Sequence, residues 1–200
     1  FLDIGSGIPT YGNVHEIAQA AVPGAHVVYV DHDPVAVAHS QAVLAGNDTA
    51  DVATADLRKP QEILASPEVG RLIDLNRPVA LLLVAILHFV EDADDPYGAV
   101  AELREALAPG SMLILTHASY EGIPVSAERA EGAVDVYKDI RNPLIMRSRD
   151  EVVSTIVSTE SDIAYPLFLE IRRTIPTSAA EMMNRTTPMP NRAERCRPEE

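Results

Sequence analysis

Two glycines one residue apart, Gly5 and Gly7, follow the acid Asp3 and the apolar residues Phe1, Leu2 and Ile4 at the start of the chain. A turn built on glycines lets backbone N–H groups touch a ligand directly, because no Cβ holds it off. Asn13-Val14-His15-Glu16 then opens a helix with an Asn cap and a Glu three residues on, so the turn feeds a helix N-terminus whose free N–H groups face the ligand. Asp31 and Asp56 each close an apolar stretch further along, and His88 and His117 each follow another. Carboxylates accept hydrogen bonds from hydroxyls and amines, and an imidazole titrates near neutral pH. Together these residue types describe a nucleotide-type ligand site with two candidate proton acceptors.

Such groups can meet only if strands and helices alternate so that the strands end at one edge. After the glycine turn, Val14, Ile17, Ala18, Ala21 and Val22 recur at helical spacing, and Pro23-Gly24 ends the helix. A strand over 26–30 stops at Asp31, Asp33-Pro34 caps a helix to about Leu44, and 51–55 reads as a short third strand ending at Asp56-Leu57. Residues 60–73 predict a helix broken near Pro67. The nearly continuous apolar run from Pro78 to Leu87 predicts the central strand, covered on both faces. Asp95-Pro96 caps a helix to Leu107, and Ser111 to Thr116 is a fifth strand leading to His117.

Beyond it, 125–140 predicts a helix over the sheet edge, Ser148 to Glu151 a capping box opening a helix to about Val157, and 165–171 a lone strand. The stretch 176–200, rich in Pro, Asn, Arg and Glu with little periodicity, reads as a disordered tail. The pattern is α/β: a Rossmann-like, doubly wound, mainly parallel sheet with helices on both faces, in one domain over 1–175. Few strand residues precede Gly5, although its strand belongs mid-sheet, so the domain is expected to be truncated at its N-terminus.

The 200 residues carry a net charge of -14 with 46% hydrophobic residues. Nucleic-acid binders concentrate Lys and Arg to displace counterions, so this balance excludes a broad phosphate-binding surface and favours small-molecule chemistry. Six of the 16 basic residues fall in the segment 171–200, leaving the body more acidic still. Cys196, the only cysteine, excludes an internal disulfide and a cysteine-based metal site, and points to a reducing cytoplasm. The longest apolar run, Val79 to Val90, is interrupted by His88 and is too short to span a bilayer. Glu91, Asp92, Asp94 and Asp95 lack a histidine or spaced carboxylate to complete a ligand set, so no metal is expected. Nothing in the sequence speaks to oligomeric state.

An acid at the end of the second strand, about 20 residues or more past the glycines, is where a carboxylate pairs with ribose hydroxyls. Asp31 holds that position, Asp56 is placed to accept from an adenine amino group, and Asp3 to attract a cationic amino-acid end. Nicotinamide-binding folds and S-adenosylmethionine enzymes share the ribose acid, but Thr10 stands where the nicotinamide fingerprint has its third glycine. Asp3-Ile4-Gly5-Ser6-Gly7 resembles motif I of class I S-adenosyl-L-methionine-dependent methyltransferases. More narrowly, Phe1 to Thr10, Asn13 to Glu16, Tyr29 to Pro34, Ala55 to Arg58 and Leu87 to Val90 are similar to an actinobacterial S-adenosyl methyltransferase family formerly known as a domain of unknown function. The resemblance runs from Phe1 to about Val153.

It implies that Asp3, Gly5 and Gly7 hold the methionine portion of the cofactor, Asp31 the ribose, and Asp56 with Leu57 the adenine, while Ala85 and Ile86 line the cofactor floor. Family members carry a helical segment before the first strand and end in a strand pair. Neither is matched here, so the sheet is expected to be incomplete at the N-terminus and at its C-terminal edge, through truncation, a shifted frame or divergence. Methyl transfer from a sulfonium is an in-line displacement on an activated carbon. The protein aligns donor and acceptor and, for a protonated acceptor, supplies a base.

His88, just past the central strand and beside the expected methyl position, is the first candidate base and His117 the second; each has a structural alternative as a packed or hydrogen-bonded histidine. His15, in the first turn of its helix, is read as shaping the loop, and Tyr120 as lining the acceptor side. The expected function is methyl transfer from S-adenosyl-L-methionine to an unidentified small-molecule acceptor, without nucleic acid or membrane as partner. The alternatives are an NAD-dependent oxidoreductase and a degenerate, non-catalytic binding module.

Overall fold

A computed structural model describes residues 1–119, 144–157 and 168–169. Among them, six strands form one sheet: β1 (Leu2–Ile4), β2 (Val27–Asp31), β3 (Ala50–Thr54), β4 (Ala80–Val84), β5 (Met112–Thr116) and β6 (Phe168–Leu169), in the order β3-β2-β1-β4-β5-β6. All neighbours are parallel. The chain steps outward from β1 to β3, then crosses back to β4 on the other side of β1. Strand order therefore reverses between β1 and β4, the place where open α/β sheets hold ligands.

Strand alternation sorts the core into two layers. Leu2, Ile4, Val28, Val30, Leu81 and Leu83 pack with Ile63 of α3 (Pro60–Leu64), Val69 and Leu72 of α4 (Pro67–Leu72), Val100 and Leu103 of α5 (Pro96–Glu105) and Val152 of α6 (Arg149–Val157). Val27, Tyr29 and Val52 pack on the opposite face with Ala18 of α1 (Val14–Ala21) and Val37 and Leu44 of α2 (Pro34–Leu44). Each fully buried side chain of this size contributes about 1.5–3 kcal/mol. Helices thus cover both faces, as a doubly wound sheet requires. Among the described residues, no helix is long and apolar enough to cross a membrane.

Caps fix where the helices begin. Asp33 accepts from Val35 N–H at 2.8 Å with Pro34 behind it, and Ser148 and Glu151 exchange hydrogen bonds in a capping box at the start of α6. The expected break near Pro67 is present: Ser66 caps α4, and Pro67 takes the first helical position, where its missing N–H costs nothing.

Three expectations change. The central strand ends at Val84 rather than Leu87, because Ala85 turns left-handed (φ +56°), gives its N–H to Thr116 Oγ1 at 2.9 Å, and is followed by a 3-10 turn over Leu87–Phe89. The strand near the C-terminus is not alone, since β6 pairs with β5 at Ile114↔Phe168 and Leu115↔Leu169. On α1 the buried residues are His15 and Ala18 while Ile17 is 63% exposed, because the Tyr29 hydroxyl holds His15 inward through its N–H and ring. The helix expected over 125–140, Tyr120 and the tail 176–200 lie outside the described residues.

Candidate functional site

Gly5 leaves β1 at φ +74° with its N–H on Val30 O at 2.8 Å, and Gly7 follows at φ +66°. The two glycines answer different needs. A Cβ on Gly5 would lie 2.5 Å from Ile86 Cγ1, so β1 and the segment after β4 meet only because residue 5 has no side chain. Around Gly7 nothing lies within 4 Å of such a Cβ. Gly7 N–H donates to Asp31 Oδ2 at 2.7 Å, and Asp33 N–H to Asp31 Oδ1 at 2.9 Å. Asp31 is thereby fixed and buried, yet each of its oxygens keeps a second lone pair. Between the glycines, Ser6 Oγ is buried with no hydrogen-bond partner among the described residues, a state that costs free energy until something donates to it or accepts from it.

The turn separates two hollows. Gly5, Asp31, Asp56, Leu57, Ile86 and Phe89 line a narrow crevice on one side. Asp3, Ser6, Gly7, His15, Tyr29 and Ser40 line a cavity of about 160 Å³ on the other. Seven of the eight residues assigned to the cofactor from the sequence therefore surround one turn. Ala85 lines neither hollow; its turn is what swings Ile86 into the crevice. A larger cavity of about 1140 Å³ opens at the opposite ends of the strands, beside Phe1, His26, Arg77 and Val79. It lies at the wrong edge for this fold, whose ligands sit beyond the carboxyl ends of the strands.

Burial, with the Asp31 charge second, pushes the Asp3 carboxyl up to about 6. Burial also pushes the Tyr29 hydroxyl up to about 12, where it receives His15 N–H at 2.8 Å. Asp56 is gripped by Arg58 Nε and Nη2, at 3.0 Å and 2.5 Å on Oδ2, and that hydrogen bonding holds its carboxyl below the usual range. Arg58 continues to Asp94 at 3.4 Å.

The two histidines sit behind the crevice wall. His88 is buried, takes Ala118 N–H on Nδ1 at 3.3 Å and meets the His117 ring edge-on at 5.5 Å. Burial first, then the charges of His117 and Arg147, lower it to about 4, so its ring is neutral. His117 Nδ1 lies 2.7 Å from Ala118 O; a carbonyl only accepts, so the proton is on Nδ1, and Nε2 is left to accept from Arg147 Nη1 at 3.1 Å. Burial is the main cause lowering its pKa. Arg147, buried at 4% exposure, carries no sequence pattern that marks it, and it escaped the reading of the motifs. Among the described residues no three His, Cys, Asp or Glu side chains gather around a metal position.

A parallel sheet that reverses at β1 and β4, with a glycine turn and an anchored acid at the reversal, defines a Rossmann-like nucleotide-cofactor fold. The chain belongs to the S-adenosyl methyltransferase family, whose profile matches residues 1–190 and so extends past Val153, where the resemblance read from the sequence stops. It is similar to the crystal structure of a DUF574-family protein from Streptomyces avermitilis, with 40% identity and a TM-score of 0.71 over 78% of this chain and 59% of that one. It is also similar to a candidate methyltransferase from Thermobifida fusca, with 39% identity and a TM-score of 0.69 over 78% of this chain and 57% of that one. The chain thus spans less than two thirds of the length of either. None of the curated proteins matches it. The cofactor of the family is S-adenosyl-L-methionine. Open space at Gly7, spare acceptors on Asp31 and the unpartnered Ser6 hydroxyl fit a ligand that brings hydroxyls and an ammonium group.

Proposed function

We propose that this chain carries the S-adenosyl-L-methionine-binding core of a methyltransferase acting on a small-molecule acceptor. What carries the reading is the bridge from Gly7 N–H to Asp31 between two hollows, in a chain whose family takes its name from that cofactor. Asp31 receives the ribose hydroxyls on its remaining lone pairs. Asp56 and Leu57 face the adenine, and Ile86, aimed by the turn at Ala85, forms the floor. Gly5 lets that floor close up, and Gly7 with Asp3 takes the amino-acid end, whose ammonium favours the ionised form of Asp3.

When bound, the cofactor supplies an electrophilic methyl group on a sulfonium. The chain's work is to hold that end against the glycine turn and keep water from the buried side. His88 is the candidate base, but its neutral ring accepts Ala118 N–H on Nδ1 and so carries its proton on Nε2; it takes a proton only by giving up that hydrogen bond and, with its pKa lowered to about 4, only from a strongly acidified acceptor. His117 has both ring nitrogens engaged and serves in positioning. The charge of -14 supports a small acceptor over nucleic acid, and the single cysteine supports a cytoplasmic setting.

Calorimetric titration tests this. S-adenosylhomocysteine is expected to bind, and Asp31→Ala to weaken it by about 1.5–3 kcal/mol, the value of hydrogen bonds to a charged group. Binding of NAD with no heat from S-adenosylhomocysteine would overturn the cofactor reading, and an unchanged Asp31→Ala constant would remove the ribose assignment.

A further inference from the structure

The turn that carries Ile86, Phe89 and Val90 into the crevice has little to hold it locally. Phe89 N–H reaches Ile86 O at 2.9 Å and Val90 N–H reaches Leu87 O at 3.2 Å, which leaves the carbonyls of His88 and Val90 without a partner inside the turn and Leu87 O with room for a second donor. They are met by one short stretch of chain far along the sequence. Ile145 N–H donates to His88 O at 2.7 Å. Arg147 Nη1 donates to Leu87 O at 2.9 Å and Nη2 to Val90 O at 2.8 Å. Asp92, just past the turn, accepts from Nη2 at 2.6 Å and from Nε at 3.2 Å, and His117 Nε2 accepts from Nη1 at 3.1 Å.

All five N–H donors of the guanidinium are thus spent. Two of the five go to carbonyls of the turn, two to Asp92 just past it, and the fifth to His117 after β5. A guanidinium is a rigid planar fork that matches several acceptors at fixed angles, which an ammonium on a flexible stem cannot copy. Arg147 also lies over the Tyr97 ring, 5.7 Å from its centroid, which ties the same fork to the first turn of α5. The side chain lines neither hollow, so any effect it has on a ligand there passes through the turn it holds.

We propose that Arg147 is a positioning residue for cofactor binding: it sets the turn at residues 86–90 at the depth at which Ile86 and Phe89 form the adenosine-side wall. This rests on the cofactor reading above. Because the wall belongs to the adenosine half of the site, adenosine alone and S-adenosylhomocysteine lose affinity by the same factor when the fork is lost.

The test compares the wild-type chain with Arg147→Lys, Arg147→Ala and Asp92→Asn. Dissociation constants for S-adenosylhomocysteine and adenosine are measured well below each variant's Tm, which is recorded separately. Arg147→Lys is expected to weaken both ligands about tenfold or more, since it keeps the charge but not the fork. Asp92→Asn leaves both carbonyl bonds and the buried cation in place, and is expected to weaken both ligands about two- to threefold while retaining the fold. Ethylguanidinium added to Arg147→Ala is expected to restore affinity, and ethylammonium is not.

Variants with a lower Tm but wild-type constants would overturn the proposal, because they would make Arg147 a fold stabiliser alone. Should Arg147→Lys fail to fold, an unchanged constant in Asp92→Asn overturns it as well. Absence of S-adenosylhomocysteine binding by the wild-type chain would instead sink the cofactor reading and this proposal with it; wild-type binding with unaffected variants sinks this proposal alone.

Discussion

On the β1–β3 side of the crevice each acid has a partner two places on, Asp31 in Asp33 N–H, Asp56 in Arg58 and Asp33 in Val35 N–H, and Asp31 adds Gly7 N–H from the end of the adjacent strand. The β4 side differs, since its turn depends on Arg147 and Ile145 from across the molecule and on a left-handed Ala85 tied to Thr116. One wall is assembled by local hydrogen bonds that form as soon as the strand ends are in place. The other is assembled by a buried fork that exists only when the far end of the sheet has folded. Gly5 is where they touch, with Ile86 filling the space a Cβ would need.

The largest effect is therefore expected at that contact. Gly5→Ala brings a Cβ within 2.5 Å of Ile86 Cγ1 at a φ that L-residues avoid, and is expected to cost about 2–5 kcal/mol of stability, by overpacking and backbone strain together. Gly7→Ala meets only the strain and is expected to cost about 1–2 kcal/mol. Chemical denaturation measures both, and Ile86→Gly added to Gly5→Ala recovers the overpacking part alone. Equal costs at the two glycines would mean that the walls do not touch.

Acidity sharpens the comparison because each side has a displaced group, Asp3 lining the cavity and His88 behind the crevice wall. His88, lowered to about 4 from an ordinary 6.5, contributes stability that is complete above pH 6.5 and lost as pH falls toward about 4. Asp3, raised to about 6 from 3.8, works in the opposite sense: its contribution is complete below about pH 3.8 and lost as pH rises through about 6. Thermal melts across this range are expected to show a smaller acid loss in His88→Gln and a higher Tm near neutral pH in Asp3→Asn. Binding of S-adenosylhomocysteine is expected to tighten from pH 5 to 7 in the wild type as Asp3 ionises, and to stay flat in Asp3→Asn. The smallest effect belongs to Arg58→Gln, because a half-exposed pair contributes about 0–1 kcal/mol of stability.

This division also explains what the amino-acid sequence discloses. Strand–helix alternation, the Asp33-Pro34 and Ser148–Glu151 caps, the glycine turn and the acids at Asp31 and Asp56 are local patterns, and they sit where the spacing puts them. The run Val79–Val90 is uniformly apolar, so nothing in it marks Val84 as the last strand residue; the turn comes from Thr116, which binds the Ala85 amide from the next strand. Likewise, His88 and His117 stand at strand ends like catalytic groups, but their neutral rings are set by burial and by Arg147, which no sequence spacing connects to them. The pairing of Phe168–Leu169 with β5 crosses more than fifty residues and leaves no periodic trace.

The most direct measurement is the change in backbone amide NMR shifts as S-adenosylhomocysteine is titrated into the chain. The account predicts saturable shifts at Ser6, Gly7, Asp31, Leu57 and Phe89, around the glycine turn, with Gly24, Asp74 and Arg77 at the opposite ends of the strands unmoved. Shifts confined to that opposite cavity, with the glycine turn silent, would contradict it.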